Sequence, residues 1–346
     1  MIHHILTHIT ILSKEESLLD TGTHIVMGFG LGGLATLDPV VAESSATSYA
    51  VLTAVVIGSQ APDIDTILKL RNNAVYIRNH RGITHSIPAV LLWPILITAV
   101  VYWLLPESDL FHLWLWTQIA VFLHVFVDIF NAYGTQALRP FSPKWVALGF
   151  INTFDSFIFT IHAAGLLLWM FGANPGYVFL LIYIILIGYY VLRYQMQKAV
   201  RTAVLRLIPD AEEIIIASTM RFNQWRIAVK SPDYFYVARG YRGSVTILDK
   251  YKRVPIPDNK LFEAAKKDAN LSAFLHFSPV YRWQVEEYDD CYEVKFIDLR
   301  YRNNGHYPFV AVVQLDLDYN IIGSYTGWIF SEEKLRKKLD FAPGSN

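Results

Sequence analysis

The sequence predicts an α-helical multi-span membrane domain followed by a cytoplasmic, mainly antiparallel β domain of the α+β class. Two observations carry this prediction. Hydrophobic residues make up 53% of the chain and charged residues only 17%, which is far from the composition of an ordinary soluble protein. Only nine of the 30 Lys and Arg residues precede residue 199, so an apolar first part is joined to a polar second part.

We therefore divide the chain into three parts: an N-terminal lead-in at 1–19, a transmembrane domain at 20–198 and a cytoplasmic β-rich domain at 199–346. The lead-in lacks the basic, apolar and small-residue regions of a secretory signal. It is expected to be a short interfacial segment, or extra residues ahead of a natural start near Leu19.

Six apolar runs are long enough, or nearly so, to cross a bilayer, which takes roughly 20 residues. They are Thr23–Leu37, Ala50–Leu68, Ile87–Leu105, Leu113–Tyr133, Val146–Phe171 and Tyr177–Leu192. The first run is short and contains several glycines, which would let a neighbouring helix approach closely. A glycine-rich loop is the alternative for this run.

Lys and Arg residues occur only in alternate loops between these spans. They are Lys14, Lys69, Arg71, Arg78, Arg81, Arg139, Lys144, Arg193 and Lys198. The intervening loops contain none, so every basic loop falls on one side of the membrane. By the positive-inside rule, the chain is a multi-pass protein of the cell membrane with both termini in the cytoplasm.

After Arg193 the pattern changes to short runs with period-two alternation, which is typical of β-strands. They are Glu213–Ser218, Gln224–Lys230, Tyr234–Ala238, Tyr281–Glu287, Tyr292–Leu299, Phe309–Leu317 and Ile321–Phe330. Helices are predicted at Asn259–Ala269 and Ser331–Leu339. The net charge of zero gives no basic field, so we expect no nucleic-acid partner. The single Cys291 excludes an intramolecular disulfide.

Polar residues in or at the ends of apolar spans are costly unless they are paired or functional, so their positions are informative. Four clusters stand out: His24; Asp63 with Asp65; the run of His80, Arg81 and His85; and His124 with Asp128. The last pair is four residues apart and shares one helix face. The inferred topology brings all four clusters to the cytoplasmic side, although this convergence was not used to set the orientation.

Imidazoles and carboxylates without thiolates are the ligands expected for Zn²⁺, Mn²⁺ or Fe²⁺ in a hydrolytic centre. We expect one or two divalent ions, with ligands drawn from His24, Asp63, Asp65, His80, His85, His124 and Asp128. Such an ion lowers the pKa of its bound water and provides a nucleophile near neutral pH. Asp65, His85 and Arg81 are the expected catalytic residues, with Arg81, or Arg78 nearby, holding an anionic group such as phosphate.

Each cluster alone has a simpler explanation. An isolated histidine at a span end fits an interfacial side chain, and the two aspartates fit a helix-end turn after Pro62. The basic run fits a membrane-facing loop with a helix cap, and the pair on span four fits a hydrogen bond between spans. One shared site is more plausible than four such coincidences on the same membrane face.

Weaker candidates accompany these clusters. Asn152 and Asp155 are expected about two turns inside span five, where they could support the site or handle protons. Asn131 and Gln136 follow Asp128 and could contact substrate. Structural or adventitious roles are expected for six other histidines, which are His3, His4, His8, His162, His276 and His306.

Taken together, Thr23-His24, Pro62-Asp63-Ile64-Asp65, the run from His80 to Ser86 and His124-x-x-x-Asp128 resemble a known family. It is the family of membrane-bound metal-dependent hydrolases that includes the YdjM-like and YfhP-like bacterial proteins. The most specific element is His-Arg-Gly-Ile-Thr-His-Ser at 80–86. The resemblance covers the transmembrane domain and implies an inner-membrane hydrolase, with ligand roles for the seven His and Asp residues named above. The β domain is less typical of the family.

The function we expect is that of a metal-dependent hydrolase at the cytoplasmic membrane face, acting on a phosphoester or a lipid-linked substrate. The alternative is a non-catalytic membrane regulator or scaffold, with a structural metal and a β domain that binds a protein partner. An open coordination position on the metal would favour the enzyme, and a fully ligated metal would favour the regulator.

Overall fold

The structure, a computed structural model, describes residues 21–340. Its first part is built from helices, several of which begin with a Ser, Asp or Asn side chain that caps the first turn. In chain order they are α1 (21–35), α2 (Pro39–Glu43), α3 (Ser45–Gly58), α4 (Asn73–Asn79), α5 (Ile87–Leu104), α6 (Leu110–Asp128), α7 (Ser156–Met170) and α8 (Pro175–Leu207). Two 3₁₀ segments, Ala61–Leu70 and Ile83–His85, lie on either side of α4.

Three of the described helices, α5, α6 and α8, are long and apolar enough to cross a membrane. A fourth crossing is added if α3 and the 3₁₀ segment after it, which meet at a 43° bend, form one broken span. The helix α7 is apolar but has only 15 residues. The helical membrane domain is thus confirmed, while the count of six spans and their orientation remain predictions.

The glycines of α1 hold this helix close to α3 and α8. A Cβ atom added at Gly28 would lie 2.5 Å from Ser59 Oγ, and one at Gly33 would lie 2.5 Å from the ring of Phe179. Both separations are well below van der Waals contact, so a larger residue would push the helices apart. The close helix approach predicted for this run is confirmed.

The fifth predicted span, Val146–Phe171, is shorter than expected because α7 begins only at Ser156. Gly149 has a left-handed φ of 73°, which a continuous helix does not permit. The Asp155 side chain accepts hydrogen bonds from two N–H groups of the first turn and so caps α7. The prediction that Asn152 and Asp155 lie two turns inside this span was therefore wrong, since both precede the helix.

The β domain consists of two four-stranded antiparallel sheets, each with its strands in sequence order. The first contains β1 (Glu213–Ser218), β2 (Gln224–Lys230), β3 (Tyr234–Tyr241) and β4 (Ser244–Lys252). The second contains β5 (Tyr281–Glu287), β6 (Cys291–Asp298), β7 (Phe309–Asp316) and β8 (Ile321–Trp328). The flanking helices are α9 (Lys260–Lys266), α10 (Ala269–Phe277) and α11 (Glu332–Asp340).

Most of this domain agrees with the predicted strands, with two exceptions. The strand β4 was not predicted, because its largely exposed and partly charged residues lack a hydrophobic alternation. The helix predicted at Asn259–Ala269 is α9, but the second helix, α10, was not predicted; Asp268 caps it by accepting from Leu271 N–H.

The β domain packs on the helical domain at the end where α6 finishes. The Tyr133 ring, in the loop after α6, stacks on Tyr301 with ring centres 5.8 Å apart. The Asn73 side chain of α4 donates a 3.1 Å hydrogen bond to the carbonyl of Thr326 in β8. The buried Arg193 of α8 lies 4.4 Å from the Trp225 ring of β2. Both sheets are thereby fixed against the helical domain.

Candidate metal centre

Four separate segments bring the predicted site residues together at this end of the helical domain. α1 supplies His24, the first 3₁₀ segment supplies Asp63 and Asp65, and the loop around residue 83 supplies Arg81 and His85. The last turns of α6 supply His124 and Asp128, which are four residues apart. The structure therefore brings the four predicted clusters together, while the membrane face on which they lie remains a prediction.

Four of these side chains each present one ligand atom to a common point. The groups are Asp63, His85, His124 and Asp128, and their ligand atoms all lie within 4.8 Å of one another. His85 Nε2 lies 3.5 Å from Asp63 Oδ1 and 3.3 Å from Asp128 Oδ2. His124 Nε2 lies 3.7 Å and 3.5 Å from the same two oxygens.

The tautomers of His85 and His124 follow from the contacts of Nδ1, the ring nitrogen that faces away from the cluster. His124 Nδ1 lies 2.7 Å from the carbonyl oxygen of Ser59, which can only accept, so Nδ1 carries the hydrogen. The Thr84 hydroxyl donates its one hydrogen to Asp65 Oδ2 at 2.7 Å, so it accepts from His85 Nδ1 at 3.1 Å. Both rings therefore direct a lone pair on Nε2 towards the two carboxylates.

Within residues 21–340 these four ligand atoms find no hydrogen-bond partner, although each is buried. Carboxylate oxygens and unprotonated imidazole nitrogens are all acceptors and repel one another at this distance. Ligand atoms around a tetrahedral zinc ion lie about 3.3 Å apart, close to the observed separations. The cluster therefore fits a divalent cation bound by two nitrogens and two oxygens.

Asp128 is held in place through its other oxygen. Arg81 Nη2 lies 3.1 Å from Asp128 Oδ1, and Asn131 Nδ2 donates to the same oxygen at 3.3 Å. His24 Nε2 lies 3.5 Å from it. The second oxygen of Asp128, Oδ2, therefore faces the imidazoles of His85 and His124. His24 thus contacts the group of candidate ligands through Asp128. Arg81 is buried beside Asp128.

Asp65 lies next to the cluster and organises the loop that carries His85. Its Oδ1 accepts from His80 Nδ1 at 2.8 Å, and its Oδ2 accepts from the backbone N–H of Arg81 at 2.8 Å as well as from Thr84. Asp63, Asp65 and His80 also form a second group whose ligand atoms lie within 4.8 Å of one another. The side chain of His80 is 25% exposed, so this second group lies towards the surface.

Two residues that position the site were missed from the sequence. Thr84 and Ser59 fix the tautomers of His85 and His124, but a hydroxyl and a backbone carbonyl have no distinctive sequence signal. The position of Thr84 directly before His85 could have suggested that it supports that ligand. Gln136 also supports the loop, because its backbone N–H donates to Arg81 O at 2.9 Å.

The other candidate residues lie outside the cluster. Asp155 accepts a 2.8 Å hydrogen bond from the Tyr189 hydroxyl, and Asn152 donates to Phe154 O. His162 donates to Ile158 O within α7 at 2.8 Å. Burial, together with nearby Arg78 and Arg139, lowers the pKa of His276. His306 belongs to an isolated β-bridge with Asn303, and His3, His4 and His8 lie outside the described residues.

Apolar helices that converge on a buried His and Asp cluster, followed by an antiparallel β domain, define a membrane protein with a candidate metal centre. The chain belongs to the YdjM inner membrane protein family, whose sequence model matches residues 19–200. Residues 209–251 match the YfhP middle domain, and residues 260–339 match the YfhP C-terminal alpha/beta plait domain.

The chain is 62% identical over 322 residues to the uncharacterized protein YfhP of Bacillus subtilis (strain 168). The alignment covers 93% of this chain and 98% of that protein. No solved structure matches the chain. The similarity therefore extends over both the helical and the β domain.

Proposed function

We propose that this protein is a metal-dependent hydrolase of the cell membrane, with its centre at the cytoplasmic face. The observation that carries the proposal is the set of four buried acceptor atoms that face one another without hydrogen bonds. A phosphoester or a lipid-linked compound is the proposed substrate, because the site lies at the end of the apolar helices. The proposed topology is multi-pass, with both termini in the cytoplasm.

His85 and His124 would hold the ion through Nε2, and Asp63 and Asp128 through one oxygen each. This mixed nitrogen and oxygen set suits Zn²⁺, Mn²⁺ or Fe²⁺. The ion would supply Lewis acidity and a nucleophile from water at neutral pH. The neighbouring group that contains His80 could hold a second ion.

The surrounding residues have separate roles in the proposed reaction. Arg81 neutralises Asp128 and would attract an anionic substrate group to the site. Asp65 orients His80, whose partly exposed ring could accept or donate a proton at Nε2. Asp63, with a side chain 16% exposed, marks the side from which substrate would enter.

The alternative is a non-catalytic regulator in which the metal clamps the helices and the β domain binds a protein. The near-complete burial of His85, His124 and Asp128 favours this alternative, because structural metal sites are closed. Four protein ligands would also fill a tetrahedral coordination sphere without water. The side chains of Asp63 and His80 are partly exposed, and this exposure favours the enzyme.

The first experiment measures metal content by mass spectrometry on the full chain purified in detergent without chelator. We expect about one or two ions per chain, as in mononuclear and dinuclear hydrolases. The variants His85→Ala and Asp128→Ala should lose the ion while the fold persists. The control is His112→Ala, which removes a histidine from the first turn of α6, away from the cluster.

The second experiment tests hydrolysis by the metal-loaded chain on bis-p-nitrophenyl phosphate and on phospholipid in mixed micelles. Product formation that is lost in His85→Ala and retained in His112→Ala would establish the hydrolase. A bound metal with no turnover of either substrate would favour the regulator. Wild-type chain without metal would refute both.

A further inference from the structure

A second cluster of charged side chains lies in the β domain. A cavity of about 170 Å³ opens between the strands β2, β3 and β4 and the segment that follows β6. A buried water molecule needs only roughly 10–15 Å³. The cavity therefore has room for a small ligand.

The walls of this cavity are strongly basic. It is lined by Arg226, Arg239, Arg300 and Arg302, together with Asn303 and Asn304. Among the residues that the structure describes, no Asp or Glu lines it. Asp298 neutralises Arg300 through an ion pair at 2.6 Å, and Asp249 neutralises Arg302. Two positive charges remain without a carboxylate.

These two charges belong to Arg226 and Arg239, which are direct partners across β2 and β3. Opposite residues on an antiparallel pair share one face, with Cβ atoms about 5 Å apart. Within residues 21–340, neither guanidinium makes a hydrogen bond or an ion pair. Like charges directly opposite each other destabilise a sheet, so an anion between them would relieve the repulsion.

The backbone around the cavity also departs from regular structure. A β-bulge after Val237 leaves Leu248 of β4 without a partner and bends this edge of the sheet. On the other wall, Asn304 and Gly305 have positive φ values of 47° and 84° and form a tight turn. This turn brings amide side chains, which supply N–H donors, next to the arginines.

We propose that this cavity binds a phosphate-bearing anion, with Arg226 and Arg239 as its charged ligands. The surplus of two positive charges matches a dianionic phosphate, and the guanidinium fork binds phosphate oxygens in pairs. The phosphate group belongs either to a soluble anion or to a lipid headgroup. This site is separate from the metal centre and does not depend on its activity.

The site also has a route to the helical domain. Arg226 and Arg300 line a smaller cavity of about 30 Å³ that reaches Tyr133 and Asn152 in the loops of that domain. Tyr133 in turn donates its backbone N–H to the Asn131 side chain at 2.9 Å, and Asn131 contacts Asp128. An anion on Arg226 is thus connected to the metal centre by adjacent residues.

The test uses the full chain in phosphatidylcholine nanodiscs, in chloride buffer of constant ionic strength. Inorganic phosphate is titrated and the melting temperature of the chain is followed by tryptophan fluorescence. We expect a saturable rise for the wild type. In Arg226→Gln and Arg239→Gln the apparent affinity should fall about tenfold or more, since a charge-assisted hydrogen bond is lost. Without phosphate, both variants should melt no lower than the wild type, because a like-charge contact is removed.

The control is Arg221→Gln, which makes the same charge change at an exposed position of the β1–β2 turn. A second arm replaces soluble phosphate with nanodiscs that contain phosphatidic acid, a lipid with a phosphomonoester headgroup. A response to inorganic phosphate identifies a soluble anion, and a response only to phosphatidic acid identifies a headgroup. No response in either arm, or an equal loss in Arg221→Gln, would overturn the proposal.

Discussion

The two ends of α6 carry the same two residue types in opposite circumstances. At its first end, His112 Nδ1 and Asp109 Oδ1 form a 2.7 Å hydrogen bond, and their side chains are 24% and 44% exposed. At its last end, His124 Nε2 and Asp128 Oδ2 lie 3.5 Å apart without a hydrogen bond, and their side chains are 0% and 3% exposed. One pair satisfies itself, and the other leaves two acceptor atoms facing each other, an arrangement that suits a cation.

The difference shows that residue type alone does not make a metal site. The His112 ring donates to its own helix cap, Asp109, whereas the Ser59 carbonyl holds His124 in one tautomer. Because Nδ1 of His124 carries the hydrogen, its Nε2 presents a lone pair, and not an N–H, to the Asp128 carboxylate.

The largest effect is expected from removing the metal. A ligand present at a thousand times its dissociation constant stabilises the folded state by about 4 kcal/mol. Chelation should therefore lower the thermal unfolding temperature of the wild type and of His112→Ala. The variant His124→Ala should already unfold at the lower temperature and should not respond. The measurement is a thermal melt in detergent with and without EDTA, and an equal response of all three chains would contradict the assigned centre.

A smaller effect is expected at Thr84, which fixes the tautomer of His85. Thr84→Val keeps the side-chain shape but removes the hydroxyl that accepts from His85 Nδ1. Loss of such an outer partner typically weakens metal affinity roughly 10–100-fold. Thr84→Ser should restore affinity, since it keeps the hydroxyl. Affinities are measured by competition with a fluorescent chelator, and unchanged binding in Thr84→Val would show that the tautomer is set in another way.

A third prediction concerns the backbone that holds His124. Gly28→Ala would place a Cβ 3.1 Å from Val56 Cα and next to Ser59. The carbonyl of Ser59 holds the His124 ring. Overpacking of this kind costs about 1–3 kcal/mol. We expect a lower melting temperature and weaker metal binding. The matched control is Gly188→Ala on α8, where no atom lies within 4 Å of the added Cβ. Equal melting temperatures for the two variants would mean that α1 and α3 can separate without cost.

The sequence predicted which segments meet, but not the contacts that hold their side chains in place. Hydropathy and the alternation of basic loops brought His24, Asp63, His85 and Asp128 to one face, because span ends are fixed by chain length and apolarity. The hydrogen bonds that fix the tautomers depend on three-dimensional contacts and could not be predicted.

The same limit explains the errors in the fold. Strands with a buried face, such as Gln224–Lys230, were predicted with the correct bounds because alternation reports burial. The exposed β4 has no such signal and is held by its pairing with β3. An apolar segment before Ser156 was predicted as helix because hydropathy does not distinguish a helix from a packed loop.

The smallest effect is expected at the first end of α6, where Asp109 acts as a helix cap. Hydrogen bonds from His112, first from its backbone N–H and then from its side chain, lower the pKa of Asp109 below its ordinary 3.8. A lowered pKa contributes stability above pH 3.8 that is lost as the pH falls through the folded-state value.

The variant Asp109→Asn keeps the cap but removes the charge, so it should cost roughly 0.3–1 kcal/mol at neutral pH. In melts of the two metal-stripped chains, this difference should disappear at low pH. Metal content should be equal in both chains before stripping, because this end of the helix satisfies its own polar groups. A loss of metal in Asp109→Asn would show that the two ends of α6 are coupled.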